Sequence, residues 1–281
     1  MPVPLVARRD GKGWGVGLSS ESHHADTTSM SREREPRRAG AYAEQRYKNG
    51  RRNYRRKAFP IYAAVFGPLI LAGIAVLIVE DHPLTWVAGL VSGACVMGWM
   101  VMRDEPPFYI EKWHEGAEGE RKTAKALEPL EQSGVRVFHD VQTRCGNYDH
   151  IAVGRAGVFL LETKNPAGIV ELRDGVPHVR RRLDPNADDR DSRVRPRALS
   201  AAAQLKEDIG RQAGGCRWVQ AVVVYWSQFP EGLVEHGRCV FLHGSRLQSW
   251  MHERLGVLSE AEVDEIAVAI ESIANRDTPV A

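Results

Sequence analysis

Asp149, Glu162 and Lys164 are the side chains of this sequence best suited to act on a charged substrate. They fall within YDHIAVGRAGVFLLETKN, residues 148–165, where apolar residues run up one strand and down the next around the turn GRAG. Gly154 and Gly157 bound that turn, where glycine tolerates positive φ. Setting Val153 against Val158 fixes an antiparallel register in which Ile151 faces Leu160 and Asp149 faces Glu162. Directly opposed residues on such a pair hold their Cβ atoms about 5 Å apart, so two carboxylates there repel. A purely structural hairpin gains nothing from that opposition, whereas a divalent cation between the two removes it. Lys164 lies two residues beyond Glu162 and therefore points to the same face.

A further acid comes from the helix expected over GAEGERKTAKALEPLEQSG, from 116 to about 132, with Gly134 as its stop. Ala117, Ala124, Leu127 and Leu130 define its apolar face at 100° per residue. Glu120 falls near the centre of that face, and Glu118 points the opposite way. A carboxylate on a buried stripe needs a partner, and the cation held by Asp149 and Glu162 is one. Stabilisation of a helix N-terminus explains Glu118 better than Glu120.

These residues need a frame. VRVFHDV reads as a strand before the hairpin, and a charged, proline-containing loop is expected over 173–197. ALSAAAQLKEDIGRQ reads as a helix, WVQAVVVYW as a buried strand and RCVFLH as another. SRLQSWMHERL and a segment opening at Ser259 read as closing helices, the latter through a Ser259-x-x-Glu262 capping box. The fold class is α/β, a mixed sheet flanked by helices with an α-β-β-β-α-β core.

GAEGE, DHIAVG, GVFLLETKN and the later AAAQL, in that order, resemble the nuclease-related domain (NERD) family over roughly residues 113–245. That family is grouped with the PD-(D/E)xK nucleases, so the resemblance implies a restriction-endonuclease-like fold and a core dependent on Mg²⁺ (or Mn²⁺). It puts the family's Asp at Asp149, its Glu at Glu162, its Lys at Lys164, its helix glutamate at Glu120 and its later glutamine at Gln204. The proline common before the Asp in the wider superfamily is replaced by Tyr148. Taken alone, Gln204 lies off the apolar face of its helix and reads as solvated. The implied chemistry is phosphodiester hydrolysis. Asp149 and Glu162 hold the ion, the Thr163 carbonyl adds a ligand, and Glu120 is a ligand or holds a water nearby. The ion polarises the phosphate, and Lys164 orients the attacking water or stabilises phosphoryl charge.

Net charge says little about a nucleic-acid partner. Residues 1–58 carry 14 Lys/Arg against 6 Asp/Glu, and residues 103–281 carry 24 against 28, so the basic excess belongs to the N-terminal arm. That arm, 1–58, has no apolar period and reads as mostly disordered. Arg173, Arg180, Arg181, Arg182, Arg190, Arg193, Arg195 and Arg197 suit a phosphate backbone, but interleaved aspartates favour a solvated loop. His139 and His150 flank the hairpin and read as structural. Cys95, Cys145, Cys216 and Cys239 lack zinc-type spacing.

Two uncharged runs, 59–79 and 84–102, joined by EDHP, read as two transmembrane helices, each near the thickness of a bilayer core. Lys and Arg precede the first, Arg103 follows the second, and the connecting loop has neither. Both termini are therefore expected in the cytoplasm, with Tyr62, Trp86 and Trp99 at the interfaces of a cell membrane. Gly89-x-x-x-Gly93 and Ala94-x-x-x-Gly98 suit packing of the two helices, or a homodimer through the Gly89/Gly93 span. The expected protein is a membrane-anchored nuclease domain, residues 103–281, acting on DNA or RNA. The rival expectation is a non-catalytic NERD module that binds nucleic acid or a protein partner at the membrane.

Overall fold

The computed structural model describes residues 38–78, 85–104, 107–143, 146–181, 188–213 and 218–276. α3 (Phe108–Gln132) leads into β1 (Arg136–Thr143), β2 (Gly146–Gly154) and β3 (Gly157–Lys164). A second, small sheet follows, with β4 (Ile169–Arg173), β5 (Val176–Arg180) and β6 (Asp188–Arg190). α4 (Val194–Gly210), β7 (Val219–Tyr225), β8 (Leu233–His236), β9 (Cys239–His243), α5 (Leu247–His252) and α6 (Glu260–Arg276) complete the chain order. The main sheet is mixed, in the order β1-β2-β3-β7-β9-β8. The β3–β7 and β7–β9 pairs are parallel and the others antiparallel. The expected core order is present as α3-β1-β2-β3-α4-β7.

Strand alternation divides the core into two layers. Ile151, Val153, Val158, Leu160, Val223 and Phe241 pack on one face beneath Leu205 and Ile209 of α4 and Ile266 and Ile270 of α6. Ala152, Phe159, Leu161, Val222 and Val224 pack on the other beneath Leu127 and Leu130 of α3 and Trp250 of α5. β7 is central and covered on both faces, which explains its unbroken run Ala221-Val-Val-Val-Tyr225. The α6 capping box forms as expected: Ser259 N–H donates to Glu262 Oε2 at 2.8 Å, and Glu262 N–H donates back to Ser259 Oγ at 3.3 Å.

Three expectations change. α3 begins at Phe108, not near 116, so Glu120 lies well inside a helix and no first-turn dipole accounts for it. The charged segment expected as a loop over 173–197 contains β5, β6 and the start of α4. Arg173 and Arg180 pair with Glu171, and Arg181 with Asp189, across or beside the small sheet. Cross-strand charge pairing of this kind is invisible to an apolar-periodicity reading. The third change concerns the arm. Residues 41–58 are helical, forming the first half of α1 (Ala41–Ile78), and residues 1–37 lie outside the described part.

α1 is one continuous helix with a basic half and an apolar half. Its basic half packs antiparallel on α3, with Tyr42 edge-on to Trp113 and Gly50 over Ile110. Its apolar half packs on α2 (Thr85–Asp104), with Gly73 against Ser92 and Phe66 beside Gly98. Among the described residues one helix, Ala41–Val76, is long and apolar enough to cross a membrane. Of the second expected span, the apolar helical part among the described residues is Thr85–Val101, about 25 Å at 1.5 Å per residue against a bilayer core of about 30 Å. The EDHP connection lies outside the described residues. A Cβ on Gly93 would meet no atom within 4 Å, so the contact between α1 and α2 uses Gly73 and Gly98 rather than Gly93.

Gly119 sets the approach of α3 to the end of β3. A Cβ there would lie 2.9 Å from Asn165 Cβ and 3.1 Å from Thr163 Cγ2. Asn165 also donates its Nδ2 to the Glu115 carbonyl at 3.3 Å, tying the strand end to the helix. Gly119→Val should therefore force α3 outward and cost about 1–3 kcal/mol, read as a lower urea midpoint with unchanged slope. An unaltered midpoint would show that this close approach is not required.

Candidate active site

The predicted hairpin register is correct. Gly154 pairs with Gly157, Val153 with Val158, Ile151 with Leu160 and His150 with Leu161. Pairing stops there, one step short of Asp149 and Glu162. Instead of continuing the ladder, Asp149 accepts the Thr163 backbone N–H on Oδ2 at 2.8 Å. β3 still pairs with β7 through Glu162, Thr163 and Lys164, so the strand is held on one side and open on the other. The strand alternation that turns Val158 and Leu160 toward α4 turns Glu162 and Lys164 the same way. Thr163 faces the α3 side, where its hydroxyl bonds Thr123 Oγ1 at 2.9 Å. Thr123 in turn accepts Trp226 Nε1–H at 2.8 Å, which locks the strand end against α3.

Glu120 reaches this open end from α3. It is 8 % exposed, and its Oε2 is buried with no hydrogen-bond partner among the described residues. Its other bond is to the Gly40 backbone N–H. Burial, then the charges of Asp140 and Glu162, push its pKa up from 4.5 to about 7. Burial also pushes Asp149 well above the ordinary carboxylate range, and Glu162 and Glu120 add to it. Lys164 Nζ sits 2.6 Å from Glu162 Oε1. Burial works against the Lys164 charge, but Glu162 and Asp149 outweigh it and raise its pKa. Lys164 therefore stays protonated through the neutral range. Three acids thus share one site with one ammonium group.

Such a donor set fits a hard divalent cation. Carboxylate oxygens are its preferred ligands, and the unpartnered Glu120 Oε2 is an acceptor with nothing yet to accept. Among the described residues no group of three or more His, Cys, Asp or Glu side chains is gathered closely enough to enclose an ion unaided. An ion of the Mg²⁺ class does not require that, because it keeps waters and takes substrate oxygens.

Other candidates fall elsewhere. Gln204 donates to Asp208 Oδ1 at 3.2 Å, one turn along its own helix, rather than to any of the acids. His139 and His150 bond each other through Nδ1 at 2.7 Å; burial lowers both, His150 to about 3, so both are neutral. Two residues escaped sequence reasoning. Asp191, just before α4, is close enough for its charge to act on Lys164. Asp140, in β1, acts in the same way on Glu120. Asp140 carried a faint signal: the β1–β2 register, once known, sets it level with Asp149.

The raised Glu120 pKa has a thermodynamic consequence. Between 4.5 and about 7 the folded protein holds a proton there that the unfolded chain has released. Stability of the metal-free protein therefore falls as pH rises through that window, and Asp149 contributes with the same sign. Glu120→Gln should remove part of this slope, so the variant gains on the wild type by about 2 kcal/mol between pH 5 and pH 8 in EDTA. Urea unfolding of both proteins at the two pH values checks it. A constant difference would mean that Glu120 titrates as an ordinary surface acid.

No curated protein and no solved structure matches the chain. Its family comparison is positive: residues 115–226, the stretch that holds Glu120, Asp149, Glu162, Lys164 and Gln204, match the nuclease-related domain (NERD) family.

Proposed function

We propose that this domain is a metal-dependent nuclease, hydrolysing phosphodiester bonds of DNA or RNA, held at a membrane by α1 and α2. The observation that carries the reading is that Glu120, Asp149, Glu162 and Lys164 lie near enough at the open end of the hairpin for their charges to act on one another, with Lys164 paired to Glu162. A structural site has no use for three repelling acids, one of them with an orphaned oxygen. The family match and the core order α3-β1-β2-β3-α4-β7 support a restriction-endonuclease-like arrangement.

Asp149, Glu162 and Glu120 would hold Mg²⁺ or Mn²⁺, with the Thr163 carbonyl as a further oxygen donor. Bound there, the ion supplies Lewis-acid polarisation of the scissile phosphate and offsets the acids' repulsion. The chain's own groups do the rest. Lys164 keeps its proton and can turn from Glu162 to a phosphoryl oxygen or to the attacking water, stabilising charge as it grows. Asp149 fixes the strand end through the Thr163 N–H, which keeps Glu162 and Lys164 in register with the substrate. Arg190, Arg193 and Arg197 are exposed at the β6–α4 junction, beside the Asp191 that acts on Lys164, and suit contacts to a phosphate backbone.

The long apolar half of α1 supports the membrane reading. Its most apolar window is only 6 % buried, so the protein itself does not cover it. The basic residues Arg51, Arg52, Arg55, Arg56 and Lys57 stand just before that half, which favours a cytoplasmic nuclease domain.

The test uses the full chain in detergent with plasmid DNA and labelled RNA, with Mg²⁺, Mn²⁺ or EDTA. Wild type should cleave only with metal, and Asp149→Ala and Lys164→Ala should each lose about 100-fold or more. Either ion at millimolar concentration should also raise the Tm of wild type and not of Asp149→Ala. Equal cleavage by all three proteins would remove the catalytic reading.

A further inference from the structure

The first turn of α1 lies against the acids. Asp140 is 1 % exposed and occupies β1 with φ 54°, the left-handed region that residues other than glycine adopt rarely. That backbone takes it out of the ladder, which runs through His139–His150 and resumes at Val141–Tyr148. Both of its carboxylate oxygens are used. Oδ2 accepts the Tyr42 backbone N–H at 2.8 Å, and Oδ1 accepts Asn147 Nδ2 at 2.7 Å. Two residues before Tyr42, the Gly40 N–H donates to Glu120. Gly40 has φ 76°, and a Cβ there would lie 3.0 Å from the Ala117 carbonyl oxygen, so this close seat on α3 requires glycine.

We infer that residues 40–42 are a working part of the site. Asp140 is a positioning residue that holds the turn by the Tyr42 N–H, and the turn holds Glu120 by the Gly40 N–H, leaving Glu120 Oε2 for a ligand. Both Asp140 oxygens serve this scaffold, one on the Tyr42 N–H and one on Asn147 Nδ2. The inference rests on the nuclease reading for its purpose, but its geometry stands apart from it. It has a structural corollary. α1 runs unbroken from this turn into the apolar stretch, so the element that would enter a membrane is the same element that orients a site acid. A fragment cut at residue 103 lacks that donor.

Three full-chain variants in detergent test it. Asp140→Asn keeps an acceptor for the Tyr42 N–H and tolerates the left-handed backbone. Asp140→Ala loses the acceptor, and Gly40→Ala strains the turn without touching Asp140. Amide hydrogen exchange without metal is read over residues 40–46 and 117–121, and Mn²⁺ affinity by electron paramagnetic resonance. Asp140→Ala and Gly40→Ala should exchange about tenfold faster in both segments and bind Mn²⁺ about tenfold or more weakly. Asp140→Asn should behave like wild type in both. Wild-type exchange in either segment of Asp140→Ala overturns the inference, as does wild-type Mn²⁺ affinity in that variant. Should wild type itself bind no Mn²⁺, the nuclease reading fails, while the exchange data still decide whether the turn holds Glu120.

Discussion

Carboxylates withdrawn from water repel each other far more than they do on a surface, and a fold that gathers several must hold them against that force. Here Glu120, Asp149 and Glu162 act on one another at the end of β3, offset by Lys164 and by the Gly40 and Thr163 backbone N–H groups. The rest of the architecture reads as the means of holding them. β7, buried on both faces, clamps β3 through Lys164, so the strand cannot retreat when its neighbour β2 diverges. Asp149 fills the gap left by that divergence by taking the Thr163 N–H. On the opposite layer, Gly119 lets α3 settle on Thr163 and Asn165, which carries Glu120 to the strand end.

The elements that cross between layers make the site a joint property of the fold rather than of one hairpin. Thr123, Thr163 and Trp226 form a hydrogen-bonded chain linking α3, β3 and the residue after β7. Asp191 brings the β6–α4 junction into the field of Lys164, so the small sheet returns the chain to the site it left. α1 enters the same network from outside the matched domain. Its first turn is bound by Asp140 and donates to Glu120. The stretch that matches the nuclease-related family begins at residue 115 and so leaves out a group that acts on Glu120.

Much of this was legible in the residues. The GRAG turn and the alternation around it fixed the β2–β3 register, and with it the facing of Glu162 and Lys164. Glu120 was legible because a carboxylate on the Ala117–Leu127–Leu130 stripe has no bland explanation. What escaped was set by contacts distant in the chain. Asp140 has no local signal, since its partner is a backbone amide 98 residues earlier. The β5–β6 part of the small sheet is dense in Arg and Asp that pair with one another and with Glu171, so its sequence imitates a loop. α1 was divided at its change from basic to apolar composition, but helix geometry does not register that change. Gln204 was carried by resemblance alone, and its contact is with Asp208.

The central claim is that these acids are held in mutual repulsion for a cation to relieve. Carbon-13 NMR of glutamate side chains in the full protein, with Glu120→Gln to assign the resonance, measures this directly. Without metal the Glu120 carboxylate should titrate near the raised value of about 7, and millimolar Mg²⁺ should move it down toward the ordinary range. A midpoint already near 4.5 without metal, unmoved by Mg²⁺, would contradict the account.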